Sequence, residues 1–597
     1  MGTTVNRLFH DAAAKYGPFP ALSRKVAGRY EPITYADLAR QVCAFGRGLV
    51  ALGIEKGDRV AIISENRPEW AVADLGMLSI GVVNVPLFVS LAAEQIAYVV
   101  SDSGARALIV SDEKLLARCE LAASRCPSLR LILMEPPAEA DPRITPFAEV
   151  LRLADESPLD AAAHGERLQS IGPDDLASII YTSGTTGEPK GVELTHWNFA
   201  SNVLASQAVL RFGTDDVLLS FLPLNHVFER LAAYYLALSQ GSMVAYTESL
   251  RRLRDNMREV EPTMMLLVPR VYEVFQETIT DRIAGGPTRA RRVFEWASGV
   301  GRRRTALLDA GLSVPPWLAA KWWLARKVVL DRARGAMGLR RLRYFVSGGA
   351  ALPRATAEFF HSIGLPILEG YGLTETSPVV SVNRPQRFRL GTVGLPLQGV
   401  EVRVAQQGEI LVRGPNVMCG YHNRPEATAE AIDSEGWFHT GDIGAIDEDG
   451  YITITDRLKD LLVLANGKNV APQQIENRLS GSPYITQAVV LGDGRPAVTA
   501  LIVPAFQRVE QWAARQGQPE LADRTALCAD KAVRKLFRDE ISRLTADVAE
   551  YERVTRFTLL DHDLSIESGQ LTPTLKVRRK VVQRMYADEI RTMYGDS

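Results

Sequence analysis

Helix-like and strand-like segments alternate through the first 170 residues of the chain. Apolar residues recur at helical spacing in 34–54 and 69–81, whereas 59–64, 82–87 and 107–111 are short runs rich in Val, Ile and Leu. This alternation is typical of parallel α/β units, in which ligands bind at the carboxyl ends of the strands. Further apolar strands continue the pattern, which predicts an α/β fold.

The pattern changes after about residue 390. Short strands and turns indicate a β-rich subdomain over about 390–456, and a mixture of strands and helices follows. We therefore predict a large N-terminal domain, 1–456, of mixed or parallel sheets with helices. A small α+β C-terminal domain, 457–597, would follow it.

Charge and cysteine content narrow the class of protein. The chain of 597 residues has 69 Lys and Arg against 70 Asp and Glu, so no global field would attract nucleic acid. Its five cysteines are scattered and form no CxxC pair, which fits neither a disulfide scaffold nor a structural zinc site. We therefore expect a cytoplasmic protein that binds no nucleic acid.

One uncharged stretch, Leu75 to Ala93, is nineteen residues long and reaches the threshold for a membrane-spanning helix. Its apolar surface is broken by Asn84 and Pro86, and 82–89 has the β-branched composition of a strand. We interpret it as a helix ending near Gly81 and a strand, and not as a membrane span.

The sharpest local motif is YTSGTTGEPKG, residues 181–191, directly after the apolar strand 176–180. Its glycines allow tight turns that expose N–H groups, its hydroxyls add donors, and Lys190 adds a positive charge. Because Gly191 follows the lysine, the motif is not a Walker A loop. It predicts a loop that holds a polyphosphate.

Two more strands run into glycine-rich turns, in YFVSGGAA (344–351) and EGYGLTETS (369–377). Tyr371 offers a flat face for a purine, while Thr374 and Glu375 offer oxygens suited to a phosphate-bound Mg²⁺. Both turns are expected at the same edge of one sheet.

Two later segments carry further candidates. In GWFHTGD, Asp442 has lone pairs for both hydroxyls of a ribose. Lys576 lies in the basic run LTPTLKVRRK, and its spacing alone favours a solvated charge.

Taken together, these segments resemble the adenylate-forming superfamily of acyl-CoA synthetases and related ligases. The likeness is strongest to the bacterial long-chain fatty acyl-CoA synthetases and spans about residues 30–580. It rests on YTSGTTGEPKG, FLPLNHVFER, VPRVYE, VSGGAALP, EGYGLTETSP, GTVGLP, GWFHTGD, DRLKDLLVLANGKNVAP and LTPTLK.

The resemblance implies a role for each matched residue. The ATP phosphates would be held by Thr182, Ser183, Gly184, Thr185, Thr186, Gly187 and Lys190. Adenine and ribose would be bound by Gly348, Gly349, Tyr371, Asp442 and Arg457. Catalysis would use Lys576, Glu375, Thr374 and His226, with Glu375 also holding the metal. The hinge would be Lys459, and acyl and coenzyme A contacts would involve Phe228 and Gly467.

The resemblance also implies the reaction, with ATP, Mg²⁺ and coenzyme A as its cofactors. A fatty acid attacks the α-phosphate of ATP, giving an acyl-adenylate and pyrophosphate, and coenzyme A then displaces AMP. The C-terminal domain would rotate about its hinge between the two steps, moving Lys576 in and out. Two alternatives stay open: an acyl carrier protein as acceptor, and a membrane fatty-acid carrier coupled to activation.

Residues 281–345 are strongly basic, with fifteen Lys or Arg against four Asp or Glu. Three tryptophans, Trp317, Trp322 and Trp323, lie beside Arg326 and Lys327 at helical spacing. An interfacial helix on the inner membrane surface has this composition, and so does a helix that packs on the protein with its basic face in water. The sequence leaves both readings open.

Overall fold

The structure is a computed structural model that describes residues 2–182, 188–517, 523–565, 568–571 and 577–595. Within that part, the strands are β1 Pro20–Val26, β2 Arg29–Thr34, β3 Arg59–Ile63, β4 Val83–Leu87, β5 Ala107–Val110, β6 Arg130–Leu133, β7 Ile144–Pro146, β8 Leu176–Thr182, β9 Lys190–Thr195, β10 Val217–Ser220, β11 Met243–Tyr246, β12 Met264–Leu267, β13 Tyr344–Ser347, β14 Ile367–Gly372, β15 Val379–Val382, β16 Leu395–Pro396, β17 Glu401–Val404, β18 Glu409–Arg413, β19 Gly420–Tyr421, β20 Phe438–Ile446, β21 Ile452–Arg457, β22 Leu462–Val463, β23 Asn469–Val470, β24 Ile485–Leu491, β25 Thr499–Pro504 and β26 Arg556–Leu559.

The α-helices of the same part are α1 Val5–Tyr16, α2 Tyr35–Ala51, α3 Pro68–Ser79, α4 Ala93–Ser103, α5 Glu113–Arg125, α6 Phe147–Arg152, α7 Ala161–Ser170, α8 His196–Gln207, α9 Val227–Glu229, α10 Leu236–Ser239, α11 Leu253–Val260, α12 Pro269–Ala284, α13 Thr288–Asp309, α14 Pro316–Ala325, α15 Asp331–Ala336, α16 Arg354–Ser362, α17 Pro425–Ala431, α18 Pro472–Leu479, α19 Phe506–Arg515, α20 Arg524–Ala529, α21 Lys531–Leu544, α22 Arg579–Met585 and α23 Ala587–Tyr594.

Two large mixed sheets dominate the N-terminal part. In the described residues, one sheet has eight strands in the order β19-β9-β8-β4-β3-β5-β6-β7, and the other has nine in the order β16-β15-β14-β13-β12-β10-β11-β1-β2. The neighbours β12, β13 and β14 run parallel. The predicted α/β fold is therefore confirmed, and the turns after β13 and β14 do lie at one sheet edge. One main core packs between elements of both sheets.

The uncharged stretch from Leu75 to Ala93 folds as interpreted from the sequence. Helix α3 ends at Ser79 and β4 follows from Val83, and both elements are buried in the protein. Among the described residues we find no helix that is both long and apolar enough to cross a membrane. This stretch is apolar because it lies in the core of the fold.

Two smaller units follow. The antiparallel sheet β17-β18-β20-β21 accounts for the β-rich composition before residue 457, and Phe438 and Ile452 bury their side chains in the main core. Residues from Leu462 to Met593 form a separate core around the sheet β24-β25-β26. The chain thus builds a second hydrophobic core shortly after Arg457.

The tryptophan-rich segment is helical, but its three tryptophans do not share one environment. Trp317 and Trp323 are exposed, whereas Trp322 packs inward beside Gly301 and Gly364. Of the two alternatives left open by the sequence, packing on the protein therefore holds for Trp322, while Trp317 and Trp323 face outward. The reason is helical geometry, since Leu318, Trp322 and Ala325 follow at spacings of four and three on the buried side.

Candidate active site

Most of the residues predicted to act together line one cleft of about 2460 Å³. The predicted residues on its walls are Thr182, Lys190, His226, Phe228, Gly348, Gly349, Tyr371, Thr374, Glu375, Asp442, Arg457 and Lys459. Gly467 is not among the lining residues and lies in the turn between β22 and β23. The remaining predicted residues, 183–187 and Lys576, lie outside the described residues.

Asp442 is held from two sides at one end of the cleft. Tyr371, on β14, donates a hydrogen bond from its hydroxyl to Oδ2 of Asp442 at 2.7 Å. Arg457 forms an ion pair with Oδ1 at 2.9 Å, which raises the pKa of the guanidinium. Strands β20 and β21 place Asp442 opposite Arg457 in their antiparallel register. The carboxylate is only 3% exposed and has a fixed orientation.

The turn after β13 lies against Phe228. Gly349 has φ of +84°, which a side chain would strain. A Cβ added to Gly348 would lie 2.9 Å from Cζ of Phe228, so the phenyl ring fills the space left by the missing side chain. Gly348 is therefore needed for close packing between this turn and the segment that follows His226.

Glu375 and Lys190 meet at Tyr421, a residue that the sequence analysis missed. The Tyr421 hydroxyl donates to Oε1 of Glu375 at 3.0 Å, and Nζ of Lys190 lies 4.9 Å from the centre of the Tyr421 ring. Burial raises the pKa of the Glu375 carboxyl above its usual range. No local motif signals Tyr421, because it reaches the cleft through pairing of β19 with β9.

The chemistry of Glu375 fits a magnesium ion. Its carboxylate has no Lys, Arg or His within ion-pair distance among the described residues, and burial disfavours its charge. The same part of the chain holds no cluster of three or more His, Cys, Asp or Glu suited to a metal. Mg²⁺ commonly binds to one or two carboxylates plus the phosphates of a substrate. The buried carboxylate of Glu375 matches one ligand of such a site.

Described residues on either side of 183–187 and of 572–576 also line the cleft. Thr182 and Lys190 are register partners at the ends of β8 and β9, so 183–189 connects two paired strands. Leu571 and Val577, which bracket 572–576, also line the cleft. Nearby, Arg579 is anchored to Glu476 at 2.6 Å. The described residues on either side of both predicted segments therefore line the same cavity.

The loop before His226 is fixed by Asn225. Its side-chain amide donates to the carbonyls of Leu87 and Ser64, and its Oδ1 accepts from the indole N–H of Trp70 at 3.0 Å. Nδ1 of His226 accepts the backbone N–H of Phe228 at 3.1 Å, which leaves the proton of a neutral ring on Nε2. The histidine therefore lies at the start of a short helix with its ring orientation set.

Arg230 connects this helix to β8 through a fully buried polar network. It forms an ion pair with Asp74 in which both side chains are 0% exposed, and it donates to Oγ of Ser178 at 2.8 Å. Tyr235 donates to the other Asp74 oxygen at 2.8 Å, and 230–235 form a π-helix. Since Ser178 lies on β8, which ends at Thr182, the network links the His226 segment to the strand that precedes 183–187.

Part of the wall of the same cleft is apolar. It includes Leu210, Leu236, Val346, Val379 and Val382. Leu210, Leu236, Val346 and Val382 are each at most 4% exposed. A wall of this composition suits a hydrocarbon chain, since apolar surface removed from water stabilises the complex.

Comparisons with known proteins agree with this geometry. A model of the family described as AMP-binding enzyme matches residues 9–422, and a model of the AMP-binding enzyme C-terminal domain matches 459–597. The chain belongs to the AMP-binding enzyme family. The resemblance inferred from its motifs is thereby confirmed.

Curated members of the AMP-binding family align along the whole chain. The long-chain-fatty-acid–CoA ligase FadD15 of Mycobacterium bovis is 36% identical over 587 residues, covering 96% of this chain and 94% of the relative. The long-chain-fatty-acid–CoA ligase ACSBG2 of Xenopus laevis is 30% identical, covering 100% of this chain and 84% of the relative.

Solved structures share the fold of this chain. The adenylation domain of a carboxylate reductase from Mycobacterium chelonae superposes with a TM-score of 0.75 at 23% identity, over 100% of this chain and 92% of that one. ATP-bound MatB from Rhodopseudomonas palustris gives 0.72 at 25% identity, over 98% and 100%.

Proposed function

We propose that the protein is an AMP-forming long-chain fatty acid–CoA ligase. One observation carries the proposal: Asp442, held by Tyr371 and Arg457, shares one cleft with a group of apolar wall residues. A carboxylic acid with a hydrocarbon tail and a nucleotide can therefore meet in the same cavity. The names of the aligned relatives support the same activity.

In the first step the fatty acid carboxylate attacks the α-phosphate of ATP and releases pyrophosphate. We assign the phosphate contacts to 182–187 and Lys190, the ribose contact to Asp442, and the adenine contacts to Gly348, Gly349 and Tyr371. Lys190 and Lys576 would offset the repulsion between two anions and stabilise charge on the departing pyrophosphate. His226 and Phe228 would shape the mouth of the acyl chamber.

Glu375 is the residue that we assign to Mg²⁺, with Thr374 directed to the α-phosphate. When bound, the ion supplies positive charge to the phosphate oxygens. Tyr421 donates to Oε1 of Glu375, and both side chains line the cleft. Thus, the chain itself contributes one oriented carboxylate.

In the second step the thiol of coenzyme A attacks the acyl carbonyl, and AMP leaves. We propose that 457–597 is a mobile C-terminal domain which rotates about Lys459 relative to 1–456, as its separate core allows. Lys576 would serve only the first step. Gly467, which lies away from the cleft here, would approach it in the second arrangement.

The assignment is tested by ATP-dependent pyrophosphate release across fatty acids of about eight to eighteen carbons and aromatic acids. Coenzyme A and a carrier protein are offered as alternative acceptors. We expect release that is greatest with long chains, and thioester formed on coenzyme A. Activity greatest with aromatic or short acids would refute the fatty-acid assignment, and turnover only with carrier protein would refute coenzyme A as acceptor.

We also propose that the enzyme works in the cytoplasm and contacts the inner membrane surface through part of 281–345. Long-chain fatty acids partition into bilayers, so reversible contact would bring the enzyme to its substrate.

A further inference from the structure

Exposed apolar side chains are concentrated on one helical stretch of the protein. We call Leu312, Trp317, Trp323, Leu324 and Val328 the tryptophan surface. Trp323 is 63% exposed, Trp317 and Leu312 are 56%, and Leu324 and Val328 are 46%. Four of them lie on the continuous helical stretch 316–330, about 22 Å long at 1.5 Å per residue. Exposed tryptophans in close succession are unusual on a water-facing surface.

The opposite side of the same stretch is firmly packed. Leu318 and Ala325 are buried, and Trp322 packs near Gly301 of α13, where an added Cβ would lie 2.9 Å from its ring. Nearby Leu330 is also buried. Because one face anchors the helix to the protein, the tryptophan surface is presented outward by a rigid element.

Positive charge surrounds the tryptophan surface. Lys321 and Lys327 are exposed, and neither has a carboxylate within 4.0 Å among the described residues. Nζ of Lys321 lies 5.2 Å from the centre of the Trp317 ring. Arg302 and Arg303 are exposed on α13, which packs beside α14. The excess of positive charge around the tryptophan surface therefore favours an anionic partner.

Arg304 and Arg334 lie close to Arg326, and this crowding of positive charge also favours an anionic partner. Arg326 contributes to lowering the pKa of both Arg304 and Arg334, after burial, which is the larger cause for each. Asp331 is the acid close to this group, 3.4 Å from Arg326 and 3.7 Å from Arg334. One carboxylate thus faces several guanidinium groups, and an anion outside the protein would relieve their mutual repulsion.

We propose that the tryptophan surface docks the enzyme on an anionic lipid bilayer. Trp317 and Trp323 would enter the headgroup region, where an indole buries its ring and keeps its N–H hydrated. Lys321, Arg326 and Lys327 would lie at the level of the lipid phosphates. Amphipathic tryptophan beside unpaired lysine matches a bilayer interface better than a protein partner, whose interfaces are depleted in lysine.

The proposal is independent of which acid the enzyme activates, because the surface lies outside the cleft. The test uses the full-length protein without ATP or fatty acid, so that binding through the acyl chamber does not contribute. Sedimentation is measured with vesicles of phosphatidylcholine alone and with added phosphatidylglycerol. We expect binding to the anionic vesicles, weakened at least about tenfold by raised salt or by omission of the anionic lipid.

Two variants with matched controls separate the apolar and charged contributions. Trp317→Ser with Trp323→Ser should lower vesicle binding at least about tenfold, whereas Leu250→Ser with Met585→Ser, equally exposed elsewhere, should not. Lys321→Gln with Lys327→Gln should weaken binding, whereas Arg251→Gln with Arg254→Gln should not. All four variants should keep wild-type pyrophosphate release with a short, soluble acid.

Quenching by brominated lipid reports insertion directly. The wild-type tryptophan fluorescence should fall on anionic brominated vesicles, and Trp317→Phe with Trp323→Phe should abolish the change. No binding by the wild-type protein, or equal losses in variants and controls, would overturn the proposal. So would self-association of the protein that the tryptophan variants abolish, since the surface would then be covered by a second copy.

Discussion

Tyr371 and Asp442 are joined by a hydrogen bond of 2.7 Å, although 71 residues separate them in the chain. The phenol belongs to a strand of the nine-stranded sheet and the carboxylate to the four-stranded sheet. Their contact therefore ties the proposed adenine-binding wall to the proposed ribose ligand.

Replacement of Tyr371 by Phe should weaken ATP binding while keeping the aromatic face. Hydrogen bonds to charged groups contribute about 1.5–3 kcal/mol, so the KM for ATP should rise about tenfold or more, with a smaller effect on kcat. Initial rates of pyrophosphate release over an ATP series measure this. Tyr30→Phe, which loses a hydroxyl bonded to the Tyr246 carbonyl, is the control. An unchanged KM for ATP in Tyr371→Phe would contradict the role of this pair.

Glu375→Gln should affect the magnesium dependence of the first step. The amide keeps the shape of the side chain but removes its charge, so kcat should fall about a hundredfold and the Mg²⁺ midpoint should rise. The measurement is pyrophosphate release over a Mg²⁺ titration, with the exposed Glu358→Gln as control. If the Mg²⁺ midpoint stays where it is in the wild type, Glu375 is not the metal ligand.

Removing one partner of the Asp74–Arg230 pair should strongly destabilise the N-terminal part. Arg230→Met leaves a carboxylate buried without its cation and should cost about 3–5 kcal/mol in the free energy of unfolding. Asp74→Asn combined with Arg230→Met should recover most of that loss, because no charge then stays buried. Denaturant unfolding provides the measurement, and Arg152→Met, at an exposed ion pair, should change little. Equal losses in the single and double variants would disprove this account.

His361 should make the protein less stable in mild acid. Burial lowers its pKa from 6.5 to about 4, so the unfolded chain binds a proton between those values and the folded chain does not. Stability is therefore full above about pH 6.5 and falls toward pH 4, by about 3 kcal/mol.

His361→Gln isolates this effect. Nε2 of His361 lies 3.1 Å from the backbone nitrogen of Ile367 and 2.9 Å from its carbonyl oxygen, and a glutamine amide can accept from the one or donate to the other without titrating. The free energy of unfolding of the variant should fall less between pH 7 and pH 5 than that of the wild type. Parallel pH profiles would show that His361 does not titrate as expected.

The sequence predicts those parts of the site that depend on local patterns. In the sequence, glycine-rich segments follow the buried apolar strands β8, β13 and β14, and the described residues at the ends of all three strands line one cleft. Leu75 to Ala93 could be assigned to the core because Pro86 and Asn84 break a helix. Such features depend on a few consecutive residues and can be read from them.

Long-range contacts could not be predicted in this way. Tyr421 reaches Glu375 only through pairing of β19 with β9, and Arg230 finds Asp74 across 156 residues. Trp322 and Trp323 are neighbours in sequence and lie on different faces of a helix. Packing against Gly301 decides that the face with Trp322 is internal. These contacts depend on how distant segments pair and pack in the fold, and short sequence patterns do not show this.

The most direct test of the central claim is to separate the two half-reactions in Lys576→Ala. Pyrophosphate–ATP exchange measures adenylate formation, and thioester formation is measured from supplied acyl-adenylate and coenzyme A. Adenylate formation should fall at least about a hundredfold while thioester formation stays near wild type, and the exposed Lys531→Ala should leave both intact. Equal loss of both half-reactions would contradict the account.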